Sequence, residues 1–143
     1  MDKINWWKTK EAVIVAETAG LKALRTGAEA ILTEAIDEAP VDTGTLRRSG
    51  TVTVGKLPDG ARVYEAAEAG NEMKDAFPEK IGKEKAVYVS FNTPYARRQH
   101  EELGYYHPRG GHAKYLESPF NRNKSKVLKM AGLQIKKALR ETR

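Results

Sequence analysis

The sequence predicts an α+β fold, in which a small antiparallel sheet of about three to four strands packs with a long N-terminal helix and a C-terminal helix. Stretches with apolar residues at helical spacing lie near the two ends of the 143-residue chain. Short runs of alternating, β-branched residues lie between them and are joined by loops. Strands joined in this way pair antiparallel, so one domain over residues 1–143 is expected.

The first helix is predicted over residues 8–39. Apolar or small residues recur along one face at helical spacing, namely Val13, Gly20, Leu24, Ala28, Ile31 and Ala35. The small size of many residues on this face indicates that another element packs closely against it. The helix must end at Ala39, because Pro40 disfavours the helical conformation of the residue before it.

The segment after this helix is rich in residues that favour tight turns. It reads Ala39-Pro40-Val41-Asp42-Thr43-Gly44-Thr45-Leu46-Arg47-Arg48-Ser49. The side-chain oxygen of Asp42 or Thr43 is expected to cap a short helical turn, and Gly44 permits an unusual φ. Arg47 and Arg48 would lie beside this cap, where they and Asp42 are expected to contact a neighbouring protein. The alternative is a purely local structural role for Asp42, Thr43 and Gly44.

Strands are predicted within residues 50–92. The candidates are residues 51–54, residues 61–66 after a Pro-Asp-Gly turn, and residues 86–91 with Val87, Val89 and Phe91 on one face. An extended loop is expected at residues 68–85, which are polar and highly charged. Loops of such length are often functional or mobile.

Two further helices are predicted, a short one over residues 94–104 and a long one over residues 118–142. Pro94 and Gly104 bound the first, and Ser118 is expected to cap the second with Pro119 at its first position. The apolar stripe of the long helix is Phe120, Val127, Ala131, Ile135 and Ala138. Leu133 lies on the opposite, basic face and is a candidate partner contact.

Composition and charge restrict the classes of function. The chain has no cysteine, so disulfides, a thiol nucleophile and a cysteine metal site are excluded. There is neither a membrane-spanning apolar run nor a signal-peptide apolar region. From residue 120 onward the chain has eight basic residues and one acid, Glu141, which gives this end a charge of +7. The net charge of the whole chain is +6, so the remainder carries −1. The basic helix indicates an acidic protein surface or nucleic acid as partner, or simply a solvated face.

Patterns for catalysis or metal binding are weak. His100, His107 and His112 lie near two glutamates but lack the ligand spacing of a zinc site, so a polar loop is the preferred interpretation. Neither a nucleophile elbow nor a phosphate-binding loop is present. We therefore expect no enzyme activity, no metal and no cofactor.

Two groups of aromatic residues are more informative. Tyr105 and Tyr106, with Arg109 nearby, either stack on nucleic-acid bases or, as we prefer, anchor an interface. Trp6 and Trp7 are expected to contact their own domain or a neighbouring subunit, because two exposed tryptophans are costly.

The motifs follow one another in a particular order. Residues 39–49 come after a long Ala-rich helix and are followed by Tyr95-Ala96, Glu101/Glu102-Leu103-Gly104 and Leu116-Glu117-Ser118-Pro119-Phe120. This order resembles the neck or tail-completion proteins of tailed bacteriophages, often labelled minor capsid or head–tail joining proteins. Their pattern is Ala-Pro-x-Asp-Thr-Gly-x-Leu-x-x-Ser, then Tyr-Ala, a Glu-x-Gly-like element and Pro-Phe. The chain departs from the pattern in a longer run after Tyr95-Ala96 and in an insertion at residues 68–85.

The resemblance implies an α+β fold and a structural role without catalysis or cofactor. The implied function is a ring-forming subunit that joins head and tail. Implied partners are further copies of the chain, head-closure or adaptor proteins and tail-tube or terminator proteins, with transient proximity to DNA but no membrane or small-molecule substrate. The implied location is the virion, assembled in the host cytoplasm. The alternative function is a nucleic-acid-binding module that uses the basic C-terminal helix.

Overall fold

Two long helices and a small sheet form the fold. A computed structural model describes residues 6–41, 44–102, 111 and 113–141 of the chain. The elements are α1 (Trp6–Glu38), α2 (Thr45–Arg48), β1 (Gly50–Val54), α3 (Gly60–Glu68), β2 (Val87–Phe91), α4 (Ala96–Glu101) and α5 (Glu117–Glu141). The α+β class is confirmed, but the sheet in the described part of the chain has two strands rather than three to four.

The two long helices pack side by side in opposite directions. Gly20 of α1 faces Ile135 of α5, and Gly27 faces Val127, so that residue numbers rise along one helix as they fall along the other. A Cβ added at Gly27 would lie 2.7 Å from Val127 Cγ2, and one at Gly20 would lie 3.0 Å from Ile135 Cδ1. Because glycine has no side chain, Gly20 and Gly27 allow the close approach of the two helices that the small residues of α1 predicted.

Polar contacts hold the other end of this helix pair. Arg122 Nη2 of α5 donates to Glu38 Oε1 at 2.8 Å and lies 3.3 Å from Glu34 Oε2, which also accepts from Asn123 Nδ2 at 2.7 Å. The hydrogen bond to Glu38 raises the pKa of Arg122, with a smaller contribution from Glu34. One cation of the basic helix is thus used within the chain.

The sheet presents one apolar face to α1. β1 and β2 pair antiparallel, with Val52 opposite Val89 and Thr51 opposite Ser90. Val52 is buried with Ala28 and Leu32 of α1, and the valines of β2 pack against the same cluster. Because side chains alternate along a strand, Thr51 lies on the other face, where its hydroxyl donates to Met73 O at 3.1 Å.

The predicted strand at residues 61–66 is wrong, because these residues belong to helix α3. The side chain of Asp59 accepts from the backbone N–H of Arg62 at 3.4 Å and caps this helix. Val63 and Ala67, four residues apart, are its buried side chains. The Pro-Asp-Gly signal therefore marks a helix start, and without this strand the sheet is smaller than predicted.

The start of the last helix also differs from the expectation. The helix α5 begins at Glu117, and the N–H of Ser118 already donates to Lys114 O at 3.0 Å. Ser118 is therefore inside the first turn rather than at the cap. The turn at residues 113–116 precedes it, and Lys114 adopts a φ of 58° there.

The segment after α3 lies along α1. Residues 69–86 contain no helix or strand, in line with an extended conformation. Its contacts with α1 are Arg25 Nη2 to Asp75 O at 2.6 Å, Lys22 Nζ over the Phe77 ring at 5.5 Å, and Lys85 to Glu17 at 3.6 Å. The charged insertion is thus attached to the protein's own long helix.

Candidate assembly surface

Arg47 closes the end of α1. The helix ends at Glu38, directly before the Ala-Pro step, and its last carbonyl groups lack partners within the helix. Arg47 Nε donates to Ala39 O and its Nη2 donates to Asp37 O, both at 2.9 Å. A guanidinium presents several donors in a rigid plane, so one side chain satisfies two carbonyl groups and joins α2 to α1.

Ser49 connects the same joint to the sheet. Its hydroxyl is buried, donates to Leu46 O at 2.7 Å and accepts from the backbone N–H of Asn92 at 3.1 Å. The Asn92 side chain returns a hydrogen bond to Ser49 O at 2.9 Å. The final serine of the turn motif therefore ties α2 to the residue that follows β2.

Arg48 and Gly44 complete the joint. Arg48 Nε donates to Ala67 O at 2.8 Å, near the end of α3. Gly44 precedes α2 with a φ of 85°, a conformation that residues with a Cβ rarely adopt. Asp42 and Thr43 lie outside the described residues. The motif thus positions α1, α2, α3 and β2, and an outward contact by Arg47 or Arg48 stays a prediction.

Loss of the Arg47 side chain is expected to destabilise the joint. Arg47→Ala leaves one partly buried carbonyl group, that of Ala39, and one exposed carbonyl group, that of Asp37, without their donor. We therefore expect the free energy of unfolding to fall by about 1–2 kcal/mol in urea denaturation. Arg62→Ala, on the exposed side of α3, is the matched control and is expected to stay within about 0.5 kcal/mol of the parent. Equal losses in the two variants would contradict the bridging role of Arg47.

A second joint links α4 to α5 through Tyr115. This side chain is buried, and its hydroxyl donates to Ala96 O at 2.7 Å. Its ring meets Phe91 and His100 edge to face, at centroid distances of 5.0 and 5.1 Å. Burial raises the pKa of Tyr115. Leu116 packs against the buried cluster that contains Ala96 and Tyr115, so the Tyr-Ala and Leu-Glu-Ser-Pro-Phe motifs meet in the core.

His100 fixes the first turn of α5. The backbone N–H of Glu117 donates to His100 Nε2 at 3.1 Å, so the ring proton lies on Nδ1 and points to Glu101 Oε1 at 2.8 Å. Lys114 forms an ion pair with Glu101 as well. The hydrogen bonds from Lys114 and then from His100 lower the pKa of Glu101. The His100 ring thus joins α4 to the first turn of α5.

The first turns of α1 and the last turn of α5 carry exposed apolar side chains, and we call this region the helical tip (residues 9–17 and Leu139). Since Gly20 faces Ile135, the antiparallel spacing brings Glu141 roughly level with Ile14. The first turns of α1 therefore extend past the described end of α5. Val13 and Ile14 are 51% and 55% exposed, and Leu139 is 38% exposed. Trp6 and Trp7 belong to the same helix, and their side chains lie outside the description.

The basic face of α5 is exposed to solvent. Its exposed cations are Lys124, Lys126, Lys129, Lys136, Lys137 and Arg140. Leu133 lies among them and is 50% exposed. Tyr105, Tyr106 and Arg109 lie outside the described residues, so their predicted contacts are not located.

Val13 and Ile14 were not predicted as surface residues. The helical spacing assigned Val13 to the buried face of α1, because periodicity identifies a face but not the length of the element that covers it.

Within the described ranges, His, Asp and Glu side chains form no cluster of three that could hold a metal ion. Across the same part of the chain, no helix has the length and apolarity required to cross a bilayer.

Structural joints, a charged helix face and an apolar tip are typical of proteins that act through contacts with other proteins. The sequence model of the bacteriophage HK97-gp10 family, described as a tail component, matches residues 8–118. The chain therefore belongs to this family of phage tail components, which confirms the resemblance of its motifs. No curated protein and no solved structure matches the chain.

Proposed function

We propose that this chain is a ring-forming subunit of the neck or tail-completion region, which joins the phage head to the tail by protein contact. The supporting observation is the helical tip, where Val13 and Ile14 are more than half exposed. Contiguous apolar side chains on a surface mark interaction sites. Membership in a family of phage tail components supports the virion as the place where these side chains make their contacts.

A ring requires two different surfaces on each subunit, because head-to-tail contacts close only through unlike patches. The chain offers an apolar helical tip and, elsewhere, the basic face of α5. In this proposal Trp6 and Trp7 extend the tip, and Leu133 lies in the second surface. Tyr105, Tyr106 and Arg109, together with Asp42, Arg47 and Arg48, are further candidate contacts with adaptor or terminator proteins.

The role needs neither a cofactor nor a catalytic group. It places the subunit in the virion after assembly in the host cytoplasm, with further copies of itself as first partners. The charge of α5 serves contact with an acidic protein surface in this proposal, and binding to DNA is the competing outcome, recognisable by its steep salt dependence.

The proposal predicts that the tip is needed for assembly. We expect the parent chain to form multimers, alone or with a portal, adaptor or tail protein, by native mass spectrometry and electron microscopy. The double variant Val13→Ser with Ile14→Ser is expected to lower the apparent affinity at least tenfold, because the buried apolar area is lost.

The matched control is Leu57→Ser, since Leu57 is 62% exposed but lies outside the tip. It is expected to assemble like the parent, and circular dichroism should show all three proteins folded. A parent chain that stays monomeric with every such partner would overturn the proposed function, as would salt-sensitive duplex binding without any protein assembly.

A further inference from the structure

A groove runs along the outer side of the helix pair, and we call it the outer groove. Ala19, Ala23 and Ala30 of α1 line it together with Met130 and Gln134 of α5, around a volume of about 560 Å³. At 100° per residue, Ala30 lies on the side of α1 opposite Ala28, which faces the sheet. The outer groove therefore opens away from the core, and Met130 is half exposed in its wall.

The charge around the outer groove limits what it can bind. Three lysines and one acid line it, Lys22, Lys126, Lys137 and Glu141, so its lining carries a net charge of +2. Two copies that met groove to groove would bring lysines against lysines. A heterologous contact, in which the groove receives a different part of the second copy, avoids this repulsion.

The helical tip has the properties of such an occupant. It presents Val13 and Ile14 as exposed apolar side chains. The described residues 9–17 carry Lys10, Glu11 and Glu17. Because Glu17 already pairs with Lys85 of the same chain at 3.6 Å, the exposed Glu11 is the acid that would face the lysines of the groove. The alanine lining of the groove has little side-chain bulk, so a helix can approach it closely. The stretch from Ala19 to Ala30 is about 16 Å long, which accommodates about three helical turns.

We propose that the helical tip of one copy docks in the outer groove of the next, with Ile14 against Ala23. This contact is heterologous, so repetition closes a ring or extends a filament. The inference rests on the proposed function for the existence of a multimer, and it adds the outer groove as the surface that receives the helical tip.

The absence of cysteine from the chain permits a direct test by disulfide trapping. We expect a chain with Ile14→Cys, mixed with a chain with Ala23→Cys under mild oxidation, to form a covalent dimer of twice the 15.9 kDa chain mass. In a single chain carrying both cysteines, these positions are about 13 Å apart along one helix, too far for an internal disulfide. That double variant is therefore expected to form a ladder of multimers.

The matched control replaces Ala23→Cys by Ser125→Cys, which is exposed on α5 but does not line the groove. At least fivefold more covalent dimer is expected with Ala23→Cys, and equal yields would overturn the docking proposal.

A second experiment blocks the outer groove without changing the helical tip. Ala23→Arg places a long charged side chain in the groove and is expected to reduce the multimer mass measured by sedimentation, whereas Ser125→Arg is not. If both variants assemble like the parent, or if Ala23→Arg loses only binding to an adaptor protein or to DNA, the groove serves another partner and this inference is wrong. Such a result leaves the proposed function standing, whereas a parent chain that never assembles overturns both.

Discussion

Tyr115→Ala is expected to lower the free energy of unfolding by about 3–5 kcal/mol, the usual cost of truncating a large buried aromatic residue. Only 1% of Tyr115 is exposed, and its ring lies against Phe91 and His100. Phe91 packs in both buried clusters of the core, so the cavity would weaken the sheet as well as the α4–α5 joint. Urea denaturation followed by circular dichroism measures the change.

Tyr115→Phe separates the ring from its hydroxyl. It retains the packing but leaves Ala96 O without its donor, so a loss of about 1–2 kcal/mol is expected. Equal losses in the alanine and phenylalanine variants would contradict the packing role of the ring.

Alkaline pH provides a second comparison for this residue. Burial raises the pKa of Tyr115 in the folded protein, so above about pH 10 the unfolded chain releases this proton first. The stability due to this group is therefore fully present below that pH and is lost as the pH rises. Tyr115→Phe should show a shallower alkaline loss of stability than the parent. Tyr64 and Tyr88 are unchanged in both proteins and do not affect the difference.

Gly27→Ala is expected to lower the free energy of unfolding by about 1–3 kcal/mol, although alanine usually stabilises a helix by about 1 kcal/mol relative to glycine. The added Cβ would lie 2.7 Å from Val127 Cγ2 and closer still to Cγ1. Valine is β-branched and has essentially one rotamer in a helix, so it cannot turn away. The helices must separate instead, which also loosens Gly20 against Ile135.

Gly132→Ala is the matched control for this substitution. Gly132 lies in α5, and a Cβ added there meets no atom within 4 Å. The same chemical change is therefore expected to raise the free energy of unfolding by about 0.5–1 kcal/mol. Thermal denaturation of both variants measures whether each substitution raises or lowers the stability. Stabilisation by Gly27→Ala would show that the helix pair relaxes without cost.

Local physical chemistry explains which elements were predictable. Pro40 ends α1 because it disfavours helix at the residue before it, and the alternation from Val87 to Phe91 predicts a strand with one apolar face. The Asp59 signal is local as well, but a capping aspartate and a turn aspartate look alike in sequence. The burial of Val63 and Ala67 with Glu65 exposed between them distinguishes α3 from the strand expected at that position, because in a strand all three side chains would share one face.

The candidate surface depended more on tertiary structure. Arg47 was predicted beside the turn, but the carbonyl groups of Asp37 and Ala39 that it bonds are ten and eight residues away in the chain, respectively. Likewise, Val13 and Ile14 are exposed although they lie on the same helix as Gly20 and Gly27, which pack against α5. Which side chains another element covers depends on how the two elements are placed against each other. The hydrophobic periodicity of a single helix carries no information about that placement.

The amino-acid sequence by itself determined the α+β class, the two long helices, the joint at residues 39–49 and the resemblance to phage tail proteins. These follow from short-range rules of helix capping, strand alternation and proline geometry, and from motif order. The tertiary structure alone decided that the sheet has two strands in the described residues, that the arginines of the joint bond carbonyl groups, and that Val13 and Ile14 are exposed. The physical reason is that burial and hydrogen-bond partners depend on contacts between residues distant in the chain. One such contact is the close packing of Gly27 on Val127, which sets the position of one long helix against the other.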